Sequence, residues 1–215
     1  NFEGQKNSGM YQTRFLSLFL FFFLFSLNEL IAQKTELIAS AKKFQQELNE
    51  EYANPEETPL EKKDLKEFKG LDFFEIDPDY IVKAEFVRTP LESPFAMRTS
   101  AGEMPVYVKY GELYFELMDK DFMLSLYQNQ ELIQDPEYFD YLFIPFTDLT
   151  NGKSTYGGGR YIGFRIPETK EVILDFNKAY NPYCAYNGKY SCPIPPAEND
   201  LKIEIFAGVK AFKNP

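Results

Sequence analysis

From Tyr80 onward the hydrophobic period of the chain is two. Ile81, Lys83, Glu85 and Val87 alternate with Val82, Ala84, Phe86 and Arg88. Such alternation marks a strand with one buried face. The same pattern, or a short apolar run, recurs over 106–110, 113–117, 122–127, 142–146, 155–166, 172–176 and 201–206. Residues 208–212 suggest a short final strand, and 127–141 has room for one further helical turn. Gly111-Glu112 is read as a hairpin turn between two of these runs. Turn signals fall roughly every 8–15 residues, with no regular strand–helix alternation, which disfavours a doubly wound parallel sheet. The chain is therefore predicted to be mainly β: an antiparallel β-sandwich or partly open barrel, carrying two N-terminal α-helices.

The two helices come first. Leu37, Ile38, Ala41, Phe44, Leu48 and Tyr52 recur at steps of three and four, with Lys34, Lys42, Lys43, Glu47, Glu50 and Glu51 on the opposite face. Asn54-Pro55 breaks this helix. Thr58-Pro59-Leu60-Glu61 then reads as a second start, with Thr58 as cap, Pro59 in the first turn and Glu61 completing a capping box. Gly70 is read as its left-handed end.

Ahead of the helices, Arg14 and the apolar run Phe15–Leu27 have the form of a secretory signal peptide. Met10 is read as its start, residues 1–9 as an upstream extension, and the cleavage point as following Ala32. The run is short for a membrane span, which needs about 20 apolar residues. No stable span is expected after cleavage. The implied organisation is an extension plus signal over 1–32, a helix over 33–57 and a single β-rich domain over 58–215. The expected location is periplasmic or secreted. Disulfides persist in such a compartment. Cys184 and Cys192, the chain's 2 cysteines, are accordingly expected to be bridged. The alternative is a reactive thiol pair.

Composition removes several functions. The chain has Lys+Arg 23 against Asp+Glu 33, a net charge of −10, and no basic run. Phosphate attraction needs clustered Lys and Arg, so no nucleic-acid partner is expected. With His 0, Ser-His-Asp and Cys-His catalysis and histidine metal sites are excluded. No metal site and no cofactor are expected. Gly152-Lys153-Ser154 superficially resembles a P-loop, but Thr147 stands where that motif needs glycine and no helix follows.

Three segments break the strand rule. In Phe143–Gly152, Pro145 cannot donate to a ladder, which predicts an edge strand or a bulge. In Lys153–Tyr161, Gly157-Gly158-Gly159 permits a bulge or a close backbone approach, and exposed N–H groups beside Arg160 would suit an anion. Asp175–Asn199 is a long loop rich in Pro, Asn and Tyr. Asp175 and Asn177 alternate there with Leu174 and Phe176, and Asn181-Pro182 signals a turn. Stiff long loops of this kind often carry function.

In these segments the sequence resembles a bacterial family named domain of unknown function 1684. The resemblance rests on Ile144-Pro145-Phe146-Thr147-Asp148-Leu149-Thr150, on Thr155-Tyr156-Gly157-Gly158-Gly159-Arg160-Tyr161, on the run Asp175 to Tyr186, and on Cys192-Pro193-Ile194-Pro195-Pro196-Ala197-Glu198-Asn199. It extends from about Leu60 to Phe212. It implies one domain and a joint signature, and no activity.

Three functions compete. The first is a domain that binds a small molecule or glycan through Tyr156, Gly158, Arg160, Tyr161, Asp175, Asn177 and Asn181, where Arg and Asn donate, Asp accepts and tyrosines stack. On this reading Arg160→Ala abolishes binding and leaves stability nearly unchanged. The second is a histidine-independent hydrolase using paired carboxylates from Asp148, Asp175 and Glu198, for which two must face each other across a cleft. The third is an envelope structural or protein-interaction domain.

Overall fold

In the computed structural model the described residues are 29 and 32–212. The chain divides into two compact units, 1–40 and 41–215. Residues 32–40, in the first, are helical, and none of their side chains is fully buried. The run read as a signal peptide lies outside the described residues. Among those described, no helix is long and apolar enough to cross a membrane.

The second unit is built on a 7-stranded sheet whose strands are β1 (Ile81–Arg88), β2 (Phe95–Ala96), β3 (Val106–Leu117), β4 (Lys120–Asn129), β5 (Tyr141–Phe146), β6 (Arg160–Arg165) and β7 (Glu171–Asp175). Their order is β6-β5-β4-β3-β1-β7, with β2 paired to β3, and every pairing is antiparallel. The sheet curls into a partly open barrel, as the alternation predicts.

The middle strands are apolar on both faces. Leu124, Leu126, Leu142, Ile144 and Phe146 pack into the main core with Leu113, Phe115, Leu174 and Phe176. Tyr127 and Phe143 point the other way, into a second cluster with Met97, Tyr107 and Tyr161. Strands covered on both sides lose the polar half of the alternation. That is why Leu142–Phe146 reads as one apolar run. A third cluster forms where helix α1 (41–53) lays Leu48 and Tyr52 against Leu60, Leu71, Tyr186 and Val209.

Several local expectations are corrected. Gly111 is no turn; β3 runs through it with a bulge between Lys109 and Gly111. A Cβ there would meet the Phe86 ring at 2.4 Å and the Val87 carbonyl at 2.8 Å. The glycine is there to let β1 come close. The hairpin turns instead at Met118 (φ 52) and Asp119 (φ 58), the two positive φ values that a tight two-residue turn demands. Helix α2 is only Lys62–Leu65, and Glu61 is its cap residue rather than the far arm of a capping box. Thr58 Oγ1 accepts from the Leu60 N–H instead, at 3.2 Å. Gly70 (φ 134) lies beyond the helix, beside Asn49, whose Oδ1 accepts from the Leu71 N–H at 2.7 Å.

Residues 201–206 and 208–212 make only isolated bridges, Thr147 with Asp200 nearby and Phe73 with Val209. Leu201, Ile205 and Ala207 are still buried in the main core, so the apolar spacing there serves packing without a ladder. The segment 155–166 yields strand only over Arg160–Arg165.

Pro145 is neither on an edge strand nor at a bulge. β5 lies between β4 and β6, but its pairing with β4 is reduced to Tyr127 with Phe143. The Asn199 side chain fills the gap beyond. Its Nδ2 donates to the Ser125 carbonyl (2.9 Å) and the Pro145 carbonyl (2.7 Å), and its Oδ1 accepts from the Ser125 N–H (2.7 Å). A primary amide has donors and an acceptor like those of a peptide unit, so Asn199 replaces the ladder that proline interrupts.

Candidate functional site

The residues singled out by the sequence are placed by these strands, and most are drawn inward. Arg160 opens β6 with its side chain fully buried against an equally buried Asp148. Nη2 donates to Asp148 Oδ2 at 2.8 Å and to the Ile205 carbonyl at 2.9 Å, and Nη1 donates to the carbonyls of Ala207 and Val209. Burial pulls the guanidinium pKa down, and the Asp148 carboxylate opposes that pull. Asp148 also accepts from the Thr150 N–H (2.8 Å) and the Ile205 N–H (3.2 Å). The pair pins the 147–150 turn to the 205–209 segment.

Asn177 is fully buried and ties the segment entering β1 to the segment leaving β7, at one end of that antiparallel pair. It exchanges two hydrogen bonds with the Asp77 backbone, each at 2.9 Å, and donates to Asp175 Oδ1. Asp175 Oδ2 is buried without a hydrogen-bond partner, and burial raises the Asp175 pKa. Asn181, also buried, donates to the Lys210 carbonyl at 2.9 Å. Glu198 is exposed and accepts from the Tyr127 hydroxyl at 2.7 Å. The three acidic candidates, Asp148, Asp175 and Glu198, thus sit in three separate settings.

The glycine run has a graded role. A Cβ on Gly159 (φ 90) would meet the Phe146 carbonyl at 2.6 Å and Pro195 at 2.8 Å. A Cβ on Gly158 would meet the Tyr156 ring at 2.6 Å. Gly158 therefore gives Tyr156 its seat, and the Tyr156 hydroxyl reaches Cys184 Sγ at 3.7 Å.

The cysteines are free thiols, which corrects the expected disulfide. Their side chains are neighbours all the same. The Cys184 N–H donates to Cys192 Sγ at 3.1 Å. Cys192 is anchored on both backbone sides by Ser100: its N–H donates to Ser100 Oγ (3.1 Å), and its carbonyl accepts from the Ser100 N–H (2.9 Å). Cys184 is pulled down to about 6, first by its hydrogen bond with Cys192 and then by Tyr156 and Ser100. Cys192 is pushed up by the same hydrogen bond and by burial, because the second proton of such a pair leaves against a charge already present. Tyr156 is pushed up to about 12, by burial first and by Cys184 next.

Beside this pair opens a cleft of about 440 Å³. Its wall is mostly phenol: Tyr141, Tyr161, Tyr180, Tyr183 and Tyr190, with Phe44 and Leu48 from α1 and Cys192 at one end. Tyr141 and Tyr180 share a hydroxyl–hydroxyl bond of 3.2 Å, and the Tyr161 hydroxyl donates to the Pro193 carbonyl. Tyr161 and Tyr180 stand edge-on, centroids 5.9 Å apart. Burial raises the pKa of Tyr141, Tyr161, Tyr180 and Tyr183, so these walls stay uncharged. Glu51 is the acidic group at the cleft, held by the Tyr183 hydroxyl at 2.7 Å. Gly163 of β6 leaves part of the wall without a side chain.

Of the predicted ligand residues, Tyr161 reaches this cleft, whereas Arg160, Asp175, Asn177 and Asn181 do not line it. Sequence reasoning passed over Tyr141, Tyr180, Tyr183 and Tyr190. The density of tyrosine between 180 and 190 was the available signal. Among the described residues, no group of three or more His, Cys, Asp or Glu could hold a metal ion.

A family model described as a protein of unknown function, DUF1684, matches residues 66–210. The chain belongs to this family. The match takes in every strand of the sheet and both cysteines. A structure solved in solution by NMR, that of an uncharacterised protein of Haloarcula marismortui, is similar as well. It shares 28% identity and a TM-score of 0.66, over 83% of this chain and 96% of that one. No curated protein matches the chain. Family membership therefore adds no activity, and the site rests on its own geometry.

Proposed function

We propose that this domain binds a small, ring-bearing, largely apolar molecule in the tyrosine-lined cleft. The observation that carries the reading is the wall itself: five phenol rings around about 440 Å³, within the range of ligand pockets and with few polar groups to orient a guest. Ring faces and edges suit a flat guest, because aromatic pairs favour offset and edge-on contacts. Glu51 and Ser191 supply the polar contacts at the rim. This keeps the small-molecule reading of the sequence and moves its centre from Arg160 to Tyr161. An acid–base hydrolase finds less support, since Asp148 is committed to Arg160 and Glu198 to Tyr127.

Gly163→Leu tests the proposal. A Cβ at this position lies 3.4 Å from the Tyr141 ring, an ordinary contact, and the strand needs no positive φ there. Leucine would thus fill the cleft without unfolding β6, and removing a strand glycine is itself mildly stabilising. With 2-naphthol as a fluorescent probe, binding to the native protein is expected to weaken at least about tenfold in Gly163→Leu, roughly 1.4 kcal/mol, at an unchanged or slightly higher melting temperature. Equal naphthol affinity in both proteins would overturn the reading.

A further inference from the structure

We propose that the guest of the tyrosine-lined cleft carries a fixed positive charge, as a quaternary ammonium group joined to its ring. The inference rests on the cleft reading above and adds the charge and the chemical class of the guest.

The sign of the charge follows from the residues around the rings. Glu51 lines the cleft, and no lysine or arginine does. A second cavity, of about 710 Å³, shares Glu51 and Tyr183 with the cleft. Glu47, Glu50 and Glu57 line it as well, again without a basic residue. Three of these carboxylates come from α1, and Glu57 follows the break at Pro55. The basic groups nearby offset them only in part. Lys43 pairs with Glu47 at 3.5 Å on the exposed side of the helix, and Arg165 pairs with Asp140 at 2.6 Å. Lys189 lies over the Tyr190 ring. Glu50, Glu51 and Glu57 therefore stand against Lys189, and the approach to the cleft is negative. Acidic residues on a helix face would mean little by themselves. Here they border a wall of phenol rings, and Glu51 is held at that wall by the Tyr183 hydroxyl at 2.7 Å.

The class of cation follows from the wall. The face of a phenol ring attracts a cation, most strongly where water is excluded. Two of the cleft's rings already carry a cation of the protein itself: Lys189 Nζ lies 4.8 Å from the Tyr190 centroid, and the Arg165 guanidinium 5.6 Å from that of Tyr141. The wall is poorer in hydrogen-bonding groups than its tyrosines suggest. Tyr141 and Tyr180 bond each other, Tyr161 donates to the Pro193 carbonyl, and Tyr183 donates to Glu51. A primary ammonium brings three donors, each in need of an acceptor. A quaternary ammonium brings none, and its methyl groups pack against ring carbon.

The test compares two probes of one shape, (3-hydroxyphenyl)trimethylammonium and its neutral isostere 3-tert-butylphenol. Their dissociation constants for the full chain are read from tyrosine NMR shifts, at about pH 6.5, well below the ordinary phenol pKa of about 10. The cation should bind at least about tenfold more tightly, the gain of a desolvated cation over aromatic rings. Glu51→Gln keeps an acceptor for the Tyr183 hydroxyl and should cut the preference to about threefold, leaving the share of the rings. Glu57→Gln, which touches no ring hydroxyl, should cut it by less. Glu116→Gln makes the same change in net charge on an exposed β3 residue that lines neither cavity, and should keep the preference whole. Gly163→Leu should weaken both probes. Equal affinity for the two probes, or a preference unchanged in Glu51→Gln, would overturn the inference and leave the cleft reading in place. A preference that persists in Gly163→Leu would put the cation elsewhere and overturn it as well. A protein that takes neither probe would overturn both readings.

Discussion

Arg160→Ala is expected to destabilise the protein by about 3–5 kcal/mol, the usual cost of removing one partner of a buried ion pair. Both side chains of the Arg160–Asp148 pair are fully buried. Alanine would leave the Asp148 carboxylate charged in the core and would orphan the carbonyls of Ile205 and Ala207. At 2–4 °C per kcal/mol for a chain of this size, melting should fall by roughly 6–20 °C. Replacing both partners together, with Arg160→Met and Asp148→Leu, should recover part of the loss, because an apolar pair needs no desolvation. Urea unfolding of the three proteins measures this. A single-variant loss below about 1 kcal/mol would mean that the pair is not buried as described. The sequence alone suggests the reverse outcome, a stable protein that has lost its ligand. An arginine beside three glycines looks like an anion site until the strand that follows is known to face the core.

Asn199→Leu is the second large effect. Leucine matches asparagine closely in size but makes none of the three side-chain bonds that link Ser125 and Pro145. The Ser125 N–H and the two carbonyls would be left buried and unsatisfied, at about 1–3 kcal/mol for each group. A loss of at least about 3 kcal/mol is expected. It should come with faster amide exchange at Ser125, because β4 and β5 would separate first where their pairing is thinnest. Asn199→Asp should not rescue it, for a carboxylate keeps the acceptor and loses both donors. Normal stability in Asn199→Leu would show that β4 and β5 close by other contacts.

How much of this could be read in advance depends on which force decided each position. Binary alternation located β1 and β4 and short apolar runs located β5 and β7, because burial fixes which residues face inward. Glycine misled at Gly111, where the reason is the Phe86 ring across the sheet rather than a turn. The real turn at Met118-Asp119 carries no glycine and was invisible for the same reason. Pro145 misled toward an edge strand or a bulge, because its missing donor is offset by Asn199, far along the chain, through a tertiary approach that no local pattern encodes. Several of the polar candidates are buried, but sequence cannot separate a buried polar group that holds the fold from one that meets a ligand. Arg160, Asn177 and Asn181 are tied to protein atoms. Tyr161, expected to stack on a ligand, lines the cleft together with Tyr141, Tyr180, Tyr183 and Tyr190, to which the sequence reading assigns no role. The two cysteines were expected as a disulfide, whereas they are neighbouring free thiols, with Tyr156 and Ser100 brought to them from two other segments.

The most direct test of the central claim is a two-dimensional NMR titration of tyrosine-labelled protein with 2-naphthol. The account expects saturable shifts of Tyr141, Tyr161, Tyr180, Tyr183 and Tyr190, the phenols of the cleft, with Tyr114, exposed on β3, unmoved. Shifts confined to Tyr114 and other surface rings, or none at millimolar naphthol, would contradict it.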